Sequence, residues 1–219
     1  IALYWLVGFK DSMSLPQLSM VGLIWLWGAR LTWNFLRGWP GLHHEDWRYI
    51  LFRNKFPHIY WLVSLGGIHL FPTVVVFLGL LGPFQLLMAE GDVSWLVFSL
   101  AVAVTVMAIA VESIADEQLR RFVSSKKKPG EIMNTGLWAY SRHPNYFGEM
   151  SFWWGMWLFG MSASSAAWWT IMGPLAMTLM FVFASIPMLD ERSIERRPEY
   201  AEHMTRVSAL IPLPPRDRA

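Results

Sequence analysis

The 219-residue chain contains no cysteine. Disulfides, thiolate metal centres and cysteine nucleophiles are therefore excluded, although this absence says little about compartment. Charge is also scarce, at 16% of residues, and long stretches have none, among them Val93 to Val111 and the 40 residues from Met150 to Leu189. No internal repeat or low-complexity segment is present, and the span that holds His69 offers no further histidine or carboxylate partners at metal-ligand spacing. The formal net charge of +2 is too small to point to a nucleic-acid partner. Apolar side chains are abundant instead: 54% hydrophobic residues, 14 Trp and a mean hydropathy of +0.34 exceed what an ordinary soluble domain carries. The expected fold class is all-α, a polytopic transmembrane helix bundle formed by a single membrane domain over residues 1–219.

Spanning a bilayer as a helix takes roughly 20 mostly apolar residues. Val93 to Val111 meets that without a charge, Leu18 to Leu36 meets it despite Arg30 and Asn34, and Ile59 to Gly82 meets it with His69 and Pro72 inside. Met150 to Leu189 is long enough for two spans, with Ser162, Ser164 and Ser165 as the turn between them. The count is five full spans plus a truncated N-terminal span, because Ile1 to Phe9 is apolar and lacks the basic start of a signal peptide. Basic residues orient the bundle. Four lie in Arg37 to Pro57, six in Asp116 to Phe147 and six from Asp190 onward, whereas Leu81 to Asp92 and the serine turn have none. The positive-inside rule puts the three basic segments in the cytoplasm. The expected localisation is an integral membrane protein, in the inner membrane if the source is bacterial, with the lipid bilayer as its first partner.

Chemistry-bearing residues collect on that cytoplasmic face. In VESIADEQLRRF, Glu112 and Asp116 stack one helical turn apart and Arg120 continues the row. The row reads either as a solvated helix end or as acceptors for ribose and amide groups beside phosphate-binding cations, Lys127 among them. In GLWAYSRHPNYFGE, the His-Pro step pushes His143 out of helical conformation and lets Pro144 open the next helix. Asn145 and Glu149 then share one helix face. Glu149 sits at the hydrocarbon boundary, where an ionisable group is costly and marks a site. An amide beside a carboxylate matches the donors and acceptor of a planar carboxamide such as that of nicotinamide. Arg142 and His143, expected to face water, suit phosphate or adenosine contacts at a helix N-terminus, or else cap the interface.

Other residues have two readings. Tyr140 and Tyr146 are either proton and hydrogen-bond donors or part of an aromatic belt. Arg30, Asn34 and Arg37 form one polar stripe that should face the bundle interior, with Arg30 reaching a phosphate or pairing with Asp46 or Glu149. Glu45, Asp46 and Arg48 form a second polar cluster or a solvated loop. His69 with Pro72 reads as a packed kink.

The stretches GLWAYSRHPNYFGE, VESIADEQLRRF, KKPGE at Lys127 to Glu131, RPEYAEHMTRVSALIP at Arg197 to Pro212 and RLTWNFLRGWPGLHHEDWRY at Arg30 to Tyr49 together resemble the steroid 5-alpha-reductase family. Residues 93–215 resemble its cofactor-binding C-terminal domain, and the whole chain resembles its bacterial branch, long catalogued as a domain of unknown function. The resemblance implies a membrane-embedded reductase that binds NADPH from the cytoplasm and passes hydride to an apolar enone, such as a 3-oxo-Δ4 steroid or another lipid. It also implies nicotinamide contacts at Asn145 and Glu149, an acidic cofactor ligand at Asp116, and a phosphate contact at Lys127, where the family usually has Arg. Glu112 stands where the steroid enzymes have Asn. The family's C-terminal His and Tyr are not matched in MLDERSIERRPEY, which offers only Ser193, and the substrate-side Glu and Tyr are either absent or replaced by Trp27.

Arg-His-Pro followed by Tyr and Gly is similar, too, to isoprenylcysteine and phospholipid methyltransferases, which use S-adenosylmethionine. The sequence thus leaves open an NADPH-linked oxidoreductase of lipid metabolism acting on a carbon–carbon double bond, a methyltransferase, and an inactive membrane scaffold. Candidate catalytic residues are Glu149, Tyr146 and Tyr140. Candidate cofactor residues are Glu112, Asp116, Arg120, Lys127, Arg142, His143, Asn145 and Glu149. No metal is expected.

Overall fold

A computed structural model describes residues 13–125 and 130–216. The expected N-terminal partial span and Lys127 lie outside the described residues. Those described fold into seven longer helices, α1 (Leu15–Gly38), α2 (Trp47–Lys55), α3 (Tyr60–Leu87), α4 (Trp95–Ser124), α5 (Pro144–Ala163), α6 (Ser165–Arg196) and α7 (Tyr200–Arg206), with a short 3-10 turn at Gly136–Ala139. Three of them, α3, α4 and α6, are long and apolar enough to cross a membrane.

The ends follow local chemistry. Ser14 and Gln17 form a reciprocal capping box at the start of α1, and Asp46 caps α2 by accepting from the Arg48 N–H. His143 takes the non-helical φ −138°, ψ 60° and Pro144 opens α5. Ser164, extended at φ −161°, breaks the apolar run between α5 and α6. Two helices contain a π-helical segment, Ser64–Leu70 within α3 and Phe181–Ser185 within α6. His69 lies in the first, its Nδ1 2.9 Å from the Ser64 carbonyl and its Nε2 3.4 Å from the Tyr49 hydroxyl, consistent with a packed distortion.

The tightest helix pair is α4 against α5. On α4 the seam is Ala101, Thr105, Ala108, Glu112 and Ala115, all buried and spaced alternately four and three apart. That heptad rhythm keeps small residues on one face. Opposite them, Gly148 and Gly155 let the α5 backbone approach: a Cβ at Gly148 would sit 2.7 Å from Glu112 Cβ and 2.9 Å from the Ala108 carbonyl, and one at Gly155 would overlap Thr105. Gly155→Val should therefore destabilise the bundle by about 1–3 kcal/mol or more, read as a fall in melting temperature in detergent. Trp153, Phe152, Met156 and Phe159 fill the remaining core of α5. The consequence for function is positional: Glu112 is carried into the seam between α4 and α5.

Candidate functional site

Two polar clusters, the first partly buried and the second buried, flank the C-terminal end of α4 and the start of α5. The first is assembled by the Arg30, Asn34 and Arg37 stripe of α1, which faces the bundle as its spacing suggests. Arg30 forms ion pairs with both Glu112 and Asp116, the latter at 2.8 Å. It pairs with neither Asp46 nor Glu149, because α1 packs its stripe directly along α4. Asn34 Nδ2 donates to Asp116 at 3.0 Å, and Asn145 Nδ2 reaches the other Asp116 oxygen at 3.4 Å. Glu149 follows one turn along α5 and is held by two indoles: Trp27 Nε1 and Trp153 Nε1 each donate to one of its oxygens at 3.0 Å. Trp27 is itself fixed by stacking on Phe152 at 4.5 Å. Glu112 and Glu149 act on each other electrostatically across the seam. The indoles of Trp27 and Trp153 also line an apolar groove of about 640 Å³ between α1 and α3.

The second cluster centres on Asp190 of α6. Arg142 Nη2 donates to it at 2.8 Å, His143 Nε2 lies 3.0 Å from it and the Tyr200 hydroxyl donates at 3.3 Å. Arg142 Nη1 donates to the Met204 carbonyl at 3.0 Å, and its backbone N–H to the Ser208 carbonyl at 2.9 Å. Ser141 Oγ donates to the Leu210 carbonyl and the Leu213 N–H to the Tyr140 carbonyl, so the C-terminal segment is fastened along residues 140–142. Arg142 and His143 are buried, contrary to the expectation that they face water. The His-Pro turn directs them inward, and Asp190 compensates their burial. Burial and the neighbouring Asp190 push the Tyr200 hydroxyl up to about 12.

The turn before α5 is locked over α4. Gln118 accepts from the Leu137 N–H at 2.9 Å, Trp138 Nε1 donates to the Ala115 carbonyl at 3.0 Å, and Gly136 supplies the φ of +61° that the bend needs. Between this turn, the end of α4 and the C-terminal half of α6 lies a cavity of about 540 Å³. Asn145, Tyr146 and His143 form one wall; Arg196, Arg197 and His203 form another. Burial and the nearby Arg142 hold His203 below its ordinary value. Tyr146 is packed between His143, stacked at 5.5 Å, and Phe181 at 4.5 Å.

By sequence, residues 1–207 match the family described as "Protein of unknown function (DUF1295)". The chain belongs to the DUF1295 family. It is also similar to an uncharacterised protein of Schizosaccharomyces pombe, 30% identical over 214 residues, which cover 85% of this chain and 60% of that protein. The DUF1295 chain thus spans about 60% of its curated relative's length. No solved structure matches it.

Of the residues singled out by sequence in this DUF1295 protein, Glu112, Asp116, Asn145 and Glu149 converge in the first cluster. Arg142 and His143 belong to the second, and Tyr146 lines the cavity. Arg120 joins neither: it bonds Glu117 at 2.6 Å on the exposed side of α4, together with Arg121. Tyr140 is half exposed and contributes its backbone. Sequence reasoning missed Asp190, Trp153 and Tyr200. Asp190 had one available signal, being the first charged residue after the uncharged run.

Proposed function

We propose that this protein is a membrane-embedded, NADPH-dependent reductase of an apolar enone, taking its cofactor from the cytoplasm into the cavity beside Asn145. The observation that carries the reading is the convergence on one 540 Å³ cavity of an amide with a free acceptor, two arginines and aromatic walls, one helical turn from Glu149. In this reading five helices span: α1 and α5, of 24 and 20 residues, are long enough to join α3, α4 and α6. Positive-inside charge then places both clusters and the cavity at the cytoplasmic face. The resemblance to steroid 5-alpha-reductases supplies the reaction class.

The residues present fit such a cofactor. Arg196 and Arg197 on the cavity wall would neutralise phosphates. Asn145 spends its Nδ2 on Asp116, which orients the amide and leaves Oδ1 to accept from a carboxamide N–H. Glu149 lies one turn along α5 from Asn145, so its carboxylate would accept from the same carboxamide while the two indoles hold it rigid. When bound, NADPH supplies the hydride. The protein's task is to position it, exclude water and offer a proton or hydrogen bond to the reduced enone, for which Tyr146 is the group at hand.

Thermal denaturation in detergent tests this. NADPH at a hundredfold excess over its dissociation constant should add about 2.7 kcal/mol, a shift of about 5–10 °C, whereas S-adenosylmethionine and its demethylated product should give none. Stabilisation by the latter pair would assign the methyltransferase class, and no shift with any of the three would remove both enzyme readings.

A further inference from the structure

A smaller cavity of about 190 Å³ lies beneath α2, bounded by Trp47, Arg48, Tyr146, Ser185, Met188 and Leu189. It shares Tyr146 and Leu189 with the cofactor-sized cavity, and Trp47 and Met188 with a cleft of about 560 Å³ between α2 and the C-terminal half of α6. The three spaces therefore follow one another from the α2–α6 cleft, past Trp47 and Tyr146, to the wall that carries Asn145.

Each of its polar side chains carries a proton to donate. The Tyr146 hydroxyl makes no hydrogen bond among the described residues, and neither does that of Ser185. Ser185 ends the π-helical segment of α6, a kind of distortion often found at functional sites. Arg48 is oriented by Asp46, to which Nε and Nη2 donate at 2.9 and 3.1 Å, leaving Nη1 uncommitted. The bond to Arg48 holds the Asp46 carboxyl below the usual carboxylate range, so the pair stays ionised and the guanidinium plane stays fixed. No carboxylate bounds the cavity. Two hydroxyls and one guanidinium N–H whose protons no described residue accepts suit an oxygen that accepts, and the apolar faces of Trp47, Met188 and Leu189 suit the carbons attached to it.

We propose that this cavity is an oxyanion subsite, where Tyr146, Ser185 and Arg48 Nη1 receive the carbonyl oxygen of the substrate, whose apolar body lies in the cleft between α2 and α6. The assignment rests on the reductase reading and deepens it: Arg48 and Ser185 become substrate-contacting residues alongside Tyr146. In conjugate reduction the β-carbon gains hydride from NADPH, the C=C π pair shifts toward the α-carbon and carbonyl oxygen, and the enolate so formed takes a proton at the α-carbon. The subsite stabilises the charge that develops on oxygen before that proton arrives.

The test uses the full chain in detergent, without NADPH, and the ketone fluorophore 6-propionyl-2-dimethylaminonaphthalene, whose emission moves to the red when its carbonyl accepts a hydrogen bond. The wild type should bind it saturably with red-shifted emission. Arg48→Met should weaken binding at least about tenfold, and Tyr146→Phe, which keeps the ring stacked on His143 and Phe181, should move the emission toward the blue. Absence of saturable binding by the wild type, or affinity and emission unchanged in both variants, would overturn the subsite. If the ketone responses hold but NADPH fails to raise the melting temperature, the reductase reading falls and the oxygen subsite stands. Arg48→Met should keep the NADPH-induced shift, because Arg48 does not bound the cofactor-sized cavity.

Discussion

Asp190→Ala should lower stability by about 3–5 kcal/mol, the scale for removing one partner of a buried ion pair. Asp190 is 5% exposed and is the carboxylate for Arg142, His143 and Tyr200 at once. Its loss strands a buried guanidinium whose surroundings were arranged around that charge. The C-terminal segment is fastened to residues 140–142, so the damage should spread: protease sensitivity beyond α7 should rise along with the fall in melting temperature. Asp190→Asn keeps the shape and one acceptor oxygen, and should recover only part of the loss. Glu117→Ala also removes a carboxylate with three arginine partners, Arg37, Arg120 and Arg121, but one that water reaches. Solvent screening keeps that change far smaller than the Asp190 loss. Equal losses in the Asp190 and Glu117 variants would contradict the assignment of Asp190 as the anchor of the Arg-His-Pro turn.

Arg30→Met should be about as severe, at about 3–5 kcal/mol. Arg30 is the cation shared by Glu112 and Asp116, and the α4–α5 seam keeps Glu112 away from water. Arg30→Lys restores charge, but a single ammonium cannot reproduce a guanidinium that serves two carboxylates, so recovery should be partial. Combining Arg30→Met with Glu112→Gln removes the opposing charges together and should cost less than the sum of the single variants. Additive losses in that cycle would mean that the two side chains do not depend on each other. Asp116 also holds Asn145, so Arg30→Met should weaken NADPH stabilisation as well, which ties this interior pair to the proposed cofactor site.

Much of the architecture was readable before any coordinates. The uncharged runs, the His-Pro break before α5, the serine turn after it and the polar stripe on α1 all depend on neighbours within a few residues, where helix periodicity and backbone sterics act. The family resemblance belongs to the same local information, since it rests on short contiguous motifs. Pairings could not be read this way. Arg30 selects Glu112 and Asp116 over Asp46 because of the axial register between α1 and α4. Arg142 and His143 turn inward because α6 brings Asp190, 48 and 47 residues further along the chain, to the start of α5. Glu149 is capped by two indoles, one from α5 itself and one from α1, 122 residues away. By itself the sequence determined which residues are helical, which faces are polar and where charge must collect. Only the tertiary structure decided which charge meets which, because burying an ion is tolerated only when a partner arrives at bonding distance, and that distance is set by how the helices pack against one another.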